Sequence, residues 1–184
     1  MTATPVPSKQ ELLDALRASR DEVLATVRAL PPARLEEGRY ENGWNGRQIL
    51  AHVASIEWSY PRLIDIARSA GPDQPPAQTS GDLSSRSMRG GNEVSERVPH
   101  HPLDAYNDRQ VAKRAHLSPA DLLAEFETNR AATIAAVEVA DEALFARPIR
   151  SAGGIVGPLA KVFHQVAVQH VLGHVRDIAG PLQA

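Results

Sequence analysis

The sequence predicts an all-α protein that folds as a four-helix bundle. Four long segments carry apolar residues at three- and four-residue spacings, and each is bounded by residues typical of helix starts and stops. No segment alternates apolar and polar residues convincingly enough to predict a β-strand. Since a chain of 184 residues is long enough for one domain with its own core, we expect a single bundle domain over residues 1–184.

The first helix is predicted over residues 8–30. Ser8 and Glu11 have the spacing of a capping box, in which each side chain accepts a hydrogen bond from the other residue's backbone N–H. An apolar stripe follows over residues 12–27, and a pair of prolines at 31–32 ends the helix.

The second helix is predicted to begin at Asn45, which can form a cap with Gln48 three residues later. Its apolar stripe covers residues 49–64, and because Pro61 lies within that stripe we expect a kink or a break there. Residues 71–102 form the longest stretch that is poor in apolar residues. They predict a loop insertion between the second and third bundle helices.

A short helix is predicted over residues 103–114, ahead of the third long helix. Ser118 followed by Pro119 is a strong helix start, and the apolar pattern of this third helix continues to about residue 140. The fourth long helix is predicted to follow the Gly-Pro pair at 157–158 and to end at Gly180.

Composition excludes several classes of protein. A net charge of −2 and a pI near 6.4 give no basic surface, and aromatic residues are only 4% of the chain, so we expect no nucleic-acid partner. The absence of cysteine excludes disulfides, thiolate metal sites and a cysteine nucleophile. No stretch reaches the roughly 18 apolar residues of a membrane span, and the N-terminus lacks the pattern of a signal peptide. We therefore expect a bacterial cytoplasmic protein without membrane partners.

Two histidines of the fourth helix are candidate metal ligands. His170 and His174 are four residues apart, so they differ by roughly 40° around a helix and can converge on one point. Counting back from His170 reaches Val166 and Phe163, so we expect the pair on the buried face. His52 lies on the apolar stripe of the second helix. We therefore expect all three imidazoles to point into the bundle.

Buried imidazoles can be explained in two ways. Each one without a partner costs on the order of 1–3 kcal/mol, which either a divalent metal or a network of water and carboxylate would remove. Asp177, three residues after His174, is a candidate outer partner that would orient a ligand histidine, with a solvated position at the helix end as the alternative. Glu57, five residues after His52, is expected on the surface.

The aromatic residues near His52 are candidates for a substrate pocket. They are Trp44, Trp58 and Tyr60, with core packing as the alternative for each. The chain has no His-Glu-x-x-His, P-loop, Gly-x-Gly-x-x-Gly or Gly-x-Ser-x-Gly motif. The sequence therefore does not favour a zincin-type protease, a nucleotide-binding protein or a serine hydrolase.

Two segments resemble the conserved motifs of the DinB-like superfamily. Residues 44–54, WNGRQILAHVA, resemble the signature that opens the second helix of these proteins. Residues 170–178, HVLGHVRDI, are similar to the His-x-x-x-His-x-x-x-Ile motif of their last helix. Residues 106–111 and 117–123 also resemble the middle region of many members.

The resemblance implies a fold and a cofactor. The superfamily includes DNA-damage-inducible proteins, bacillithiol S-transferases and mycothiol-dependent maleylpyruvate isomerases. It implies a four-helix bundle, a homodimer, and a divalent metal (nickel or zinc) held by His52, His170 and His174. Because the sequence ends at Ala184, soon after the fourth helix, we expect no further C-terminal domain of the mycothiol-dependent type.

Three functions are compatible with such a site. The first is thiol-dependent S-transferase or isomerase chemistry, in which a low-molecular-weight thiol attacks a small electrophile at the metal. The second is metal-assisted hydrolysis, and the third is non-catalytic metal binding, for instance in a stress response. Three histidines leave coordination positions open, as in catalytic zinc sites, which favours an enzyme over non-catalytic binding. Hydrolysis ranks below thiol transfer because the sequence offers no well-placed general base other than Asp177.

Overall fold

The protein is described here from a computed structural model that covers residues 5–37, 43–70 and 102–180. Its helices are α1 (Lys9–Ala29), α2 (Gly46–Glu57), α3 (Pro61–Ser69), α4 (Pro102–Lys113), α5 (Pro119–Val139), α6 (Leu159–His164) and α7 (His170–Ala179). A π-helical turn, Gln165–Gln169, joins α6 to α7, so residues 159–179 form one continuous helix, called the last helix below. Short 3-10 helices cover Pro32–Leu35 and Glu142–Ala146.

Four helices form the predicted bundle. α1 packs against α5 and the last helix, and α2 packs against the same two helices, so the four enclose a common core. Fully buried residues from each helix meet there: Leu16, Leu50, Phe126, Phe163 and Val171. The prediction of an all-α four-helix bundle is thus confirmed. None of the described helices combines the length and the apolarity that crossing a membrane requires.

Helix starts follow the predicted local signals. The Ser8 side chain accepts from the Glu11 backbone N–H, and the Glu11 carboxylate accepts from the Ser8 N–H at 2.7 Å. The same reciprocal arrangement caps α2 at Asn45 and α5 at Ser118. Pro61 breaks the second predicted helix: α2 ends before it, and Pro61 is the first residue of α3, where a missing N–H costs little.

The region before the last helix differs from the prediction. Strands β1 (Pro148–Arg150) and β2 (Val156–Pro158) pair antiparallel, with Ile149 opposite Gly157. The expectation of no strand was therefore wrong, because three-residue strands are too short to show alternation. Gly154, at a φ of 82°, supplies the left-handed residue of the connecting turn.

The short helix α4 confirms the one predicted over 103–114. The predicted insertion over 71–102 lies outside the described residues except for Pro102, at which α4 begins.

The last helix carries one residue more than a straight α-helix would accommodate. The backbone N–H of His170 donates to the carbonyl of Gln165, five residues back instead of four. A π turn shifts everything after it by one position around the helix axis. Phe163 is buried before the turn, and the buried face continues after it at Val171 and Val175, not at His170.

The expected burial of the histidine pair was therefore wrong for His170 and met only in part by His174. His170 is exposed and His174 is half-buried, whereas His52 is buried as predicted. The physical reason is the π turn, which places Val171 on the core face that the uninterrupted helical period assigns to His170.

Candidate metal centre

The three predicted histidines lie together and are called the histidine cluster below. Each offers one ring nitrogen, and the three nitrogens lie within 4.8 Å of one another. The ring centroid of His52 is 5.0 Å from that of His174 and 5.8 Å from that of His170. The cluster forms because α2, which carries His52, packs against α7, which carries the other two.

The histidine cluster is closed on one side and open on the other. His52 is only 4% exposed, His174 is intermediate, and His170 is exposed. A ligand held between the rings would thus be reached from solvent past His170. This accessibility is typical of catalytic metal sites, whereas structural sites are enclosed by four protein ligands.

The environment keeps all three imidazoles neutral at neutral pH. Burial, with added repulsion from the other two histidines, lowers the pKa of His52 to about 3. The atoms around His174 and His170 exclude part of the water from both rings. This partial desolvation, with the proximity of His170, lowers the pKa of His174 to about 4, and it lowers the pKa of His170 as well. A neutral imidazole has a free lone pair, so the rings are ready to bind a cation without first losing protons.

The hydrogen bonding of the cluster is incomplete. The Nε2 atoms of His170 and His174 lie 3.2 Å apart, a distance at which one ring can donate to the other. The Nδ1 atom of His52 is buried without any partner, the only such side-chain atom among the described residues. Leaving a buried polar atom unpaired costs about 1–3 kcal/mol. In the described ranges no carboxylate joins the cluster.

A donor set of three imidazole nitrogens fits borderline-soft divalent metals such as zinc and nickel. Magnesium and calcium prefer oxygen ligands, which the cluster lacks within the described part of the chain. The unpaired nitrogen of His52 is a second observation that fits a bound ligand here. The residues present therefore suit a divalent transition metal.

The other predicted site residues lie at different distances from the cluster. Trp44 borders it, since its ring centroid is 5.2 Å from that of His52. Trp58 is 39% exposed, with the Arg62 guanidinium 4.2 Å above its ring. Tyr60 is buried, and its hydroxyl donates to the carbonyl of Val166 at 2.7 Å.

Asp177 is exposed. Within the described residues no hydrogen bond joins its carboxylate to a histidine ring.

A cavity of about 240 Å³ lies beside Trp44, between α2 and α4. Its lining includes Trp44, Arg47, Asp108 and Arg114. Trp44 thus touches both the cavity and the buried histidine. The cavity is smaller than most ligand sites, which generally measure about 300–1,000 Å³.

A second polar cluster, formed by Glu57, Arg130 and Ser19, was not predicted. Glu57 and Arg130 are both fully buried, so the expected surface position of Glu57 was wrong. Arg130 donates from Nε to Glu57 Oε1 at 2.7 Å and from Nη2 to Oε2 at 2.9 Å. Its remaining N–H groups donate to Ser19 Oγ, Leu16 O and Ala167 O. All five donors of an arginine are thereby used.

The sequence does carry a signal for this second cluster. Arg130 lies four residues after Phe126 and four before Ile134, in line with the apolar stripe of α5. A charged residue at such a position is either exposed by a break in the stripe or buried with a partner. The partner could not be identified, because Glu57 is 73 residues away.

Known proteins share the sequence pattern and the fold described above. A family model described as the mycothiol maleylpyruvate isomerase N-terminal domain matches residues 16–179. The chain belongs to this family. The match includes His52, His170 and His174, and with the structural matches below it confirms the DinB-like resemblance. No curated protein is significantly similar to the chain in sequence.

Solved structures support the same fold. The crystal structure of the mycothiol-dependent maleylpyruvate isomerase matches 100% of this chain at 18% identity with a TM-score of 0.65. This chain spans 65% of the length of that enzyme, and a mutant of the enzyme matches equally well at 17% identity.

YfiT from Bacillus subtilis matches 96% of this chain and 88% of its own length, at 16% identity and a TM-score of 0.62. YfiT is described as a probable metal-dependent hydrolase with an unusual four-helix bundle topology.

Proposed function

We propose that the protein is a divalent-metal-dependent enzyme whose ion, zinc or nickel, is held by His52, His170 and His174. We further propose thiol-dependent transfer or isomerisation of a small electrophilic substrate. The observation that carries the proposal is the convergence of three neutral imidazoles, one of them with an unpaired buried nitrogen. A bound divalent ion would lower the pKa of a thiol or of water and so supply a nucleophile at neutral pH.

The chain's own residues have distinct roles in this proposal. His52 is held in the core against the Trp44 ring, which restricts its orientation. His170 lies at the solvent side, where a thiol and a substrate can approach. Because the chain contains no cysteine, the sulfur would come from a small thiol. The family description, which names mycothiol, supports this choice.

The cavity beside Trp44 is the proposed location of the electrophile. Trp44 lines the cavity and also contacts His52, whereas none of the three histidines lines the cavity itself, so this residue is the link between an occupant and the histidine cluster. Arg47 and Arg114 line the cavity, each paired with a carboxylate, Glu36 and Glu125, and Asp108 lines it as well, so the lining carries charge of both signs. The substrate roles of Trp58 and Tyr60, the outer-partner role of Asp177, the homodimer and the cytoplasmic location stay predictions.

Metal-assisted hydrolysis is the second candidate, favoured by the similarity to YfiT. It ranks lower because hydrolysis needs a general base near the ion, and no described carboxylate joins the histidine cluster. Non-catalytic metal binding is favoured less again, since the cluster is open to solvent at His170.

Metal content tests the proposal directly. We expect about one zinc or nickel ion per chain in tag-free protein, and its loss in His170→Ala and His174→Ala, because two imidazoles hold a divalent ion poorly. His164→Ala is the matched control, since His164 lies on the same helix but outside the cluster. Mass spectrometry of the metals provides the measurement. A wild-type protein that is free of metal and cannot be reloaded with zinc or nickel would contradict the metal site.

The reaction requires a separate assay. Metal-loaded protein is expected to accelerate conjugation of mycothiol to a small electrophile, whereas metal-free protein and His170→Ala are not. Hydrolysis of ester and amide substrates under the same conditions provides the comparison. Faster hydrolysis without any thiol-dependent turnover would favour the second candidate.

A further inference from the structure

The π turn frees a backbone carbonyl just before the histidine pair. In an uninterrupted α-helix the N–H of His170 would donate to the carbonyl of Val166, four residues earlier. Here it donates to Gln165. The Val166 carbonyl instead accepts from the hydroxyl of Tyr60 at 2.7 Å. The side chain of Tyr60 thus occupies the place that the helix's own N–H would take.

The next carbonyl of the turn is also bound by a side chain. Ala167 O accepts from Nη2 of Arg130 at 2.7 Å. The guanidinium is held in turn by Glu57 of α2 and by Ser19 of α1. The carbonyl therefore lies against a group whose position is determined by three other helices of the bundle.

The hydroxyl of Tyr60 and the guanidinium of Arg130 keep their donor protons at neutral pH, and both are held in place by packing. Burial raises the pKa of Tyr60 well above its ordinary value, so its hydroxyl keeps the proton it donates. Its ring packs on that of Phe163, 6.2 Å away between centroids, which limits its motion. Arg130 is fully buried and always charged.

We propose, on the basis of the metal site proposed above, that Tyr60 and Arg130 are positioning residues for the histidine cluster. By binding the carbonyls of Val166 and Ala167 they hold the π turn, and the π turn determines where His170 and His174 face relative to His52.

The orientation of His170 and His174 depends strongly on whether the π turn is present. Converting the turn to α-helix without changing the sequence would rotate the following residues by about 100°, one position around the helix. His170 would move toward the core position that Val171 now fills, and the pair would no longer present the same nitrogens to His52. If either side chain stops donating to its carbonyl, the π turn loses part of its stability relative to the regular α-helix.

Tyr60→Phe tests the inference because it removes one oxygen atom and keeps the packed ring. Tyr106→Phe, the same change on α4, is the matched control. In metal-free protein with labelled histidines, nuclear Overhauser effects between the ring protons of His52 and those of His170 and His174 report the cluster directly. We expect these effects to weaken in Tyr60→Phe and to remain in Tyr106→Phe.

Zinc affinity provides the second measurement. By competition with a chelating dye, Tyr60→Phe is expected to bind zinc about tenfold more weakly than wild type, as is usual when a residue that orients a ligand is changed. Cobalt-loaded protein should show an altered visible spectrum in the same variant. A purely structural role would lower the melting temperature and leave the ring contacts, the zinc affinity and the spectrum unchanged, and that result would overturn the inference.

The two proposals can fail separately. If wild-type protein binds no metal but Tyr60→Phe still weakens the ring contacts, the proposed function is wrong and the positioning role stands. If wild-type protein binds zinc and Tyr60→Phe changes neither the contacts nor the affinity, the metal site stands and the positioning role is wrong.

Discussion

Two polar clusters occupy the same bundle, and their chemistry is opposite. In the cluster of Glu57, Arg130 and Ser19, every guanidinium N–H has an acceptor, and the Glu57 carboxyl, whose pKa is raised by burial, lies against the equally buried guanidinium. In the histidine cluster the groups are neutral, one buried nitrogen has no partner, and one of the three residues is exposed. In the first arrangement the chain itself supplies a partner for every donor, whereas in the second the Nδ1 atom of His52 has none.

The difference separates a cluster whose hydrogen bonds the chain completes by itself from one whose donors are available to a ligand. A buried ion pair whose hydrogen bonds are all made contributes to the choice of one helix arrangement. Converging donors with depressed pKa values and missing partners indicate a binding site. The π turn connects the two clusters, since Arg130 binds Ala167 one turn before His170.

The largest expected change in stability comes from a substitution in the cluster of Glu57, Arg130 and Ser19. Arg130→Met should lower the free energy of unfolding by about 3–5 kcal/mol, because the Glu57 carboxylate would remain buried without its partner. Urea unfolding measures this. Arg114→Met is the control, since the Arg114–Glu125 pair is partly exposed and its loss should cost about 1 kcal/mol. Equal losses in the two variants would contradict the structural role of the buried pair.

At the histidine cluster, we expect stability to depend on a bound metal. Zinc at about 100 times its dissociation constant should raise the free energy of unfolding by about 2.7 kcal/mol, because it binds the folded chain only. Thermal unfolding with and without zinc measures the gain. We expect it to disappear in His174→Ala and to persist in His164→Ala; a gain that survives in His174→Ala would place zinc elsewhere.

Lowering the pH should destabilise the metal-free protein, because His52 is harder to protonate in the folded state. The unfolded chain binds a proton at His52 with an ordinary pKa near 6.5, whereas the folded chain does so only near a pKa of about 3. Between these values the unfolded state holds more protons, so stability is full above pH 6.5 and falls as pH decreases, by up to about 1.4 kcal/mol per pH unit.

The variant His52→Gln isolates this effect, because glutamine does not titrate. Urea unfolding between pH 6.5 and 5 should show a steeper loss of stability in metal-free wild type than in His52→Gln. Parallel pH dependences would mean that His52 is protonated as readily in the folded state as in the unfolded one.

The smallest expected effect concerns Asp177. Asp177→Asn should change zinc affinity by less than about threefold, equivalent to roughly 0.6 kcal/mol, because the carboxylate is exposed and screened by water. Competition with a chelating dye is sensitive enough to detect this. A tenfold loss would instead support Asp177 as the partner that orients a ligand histidine.

Local signals made most of the fold predictable. The capping boxes at Ser8, Asn45 and Ser118 depend on residues three apart, and the break at Pro61 depends on a single ring, so both can be read from short segments. The hairpin of β1 and β2 could not be predicted, because each strand has only three residues.

The grouping of the three histidines was predictable from the sequence, but their exposure was not. Helical spacing and the family resemblance both selected His52, His170 and His174, which the structure brings together. Their burial depended on the π turn, and that turn depends on side chains far away in sequence: Tyr60 lies 106 residues from Val166. A pattern that assumes a constant helical period cannot include such a contact.

The contacts of Arg130 also bear on how the chain folds. Its acceptors lie 114, 111, 73 and 37 residues away, on three other helices. On burial, the guanidinium loses its hydrogen bonds to water and needs these acceptors in their place. In a collapsed state that lacks one of the helices, the charged group would be buried without all of its hydrogen bonds, at a cost in free energy. Partly assembled bundles are therefore penalised, and the described helices should form and melt together in one cooperative transition without a populated intermediate.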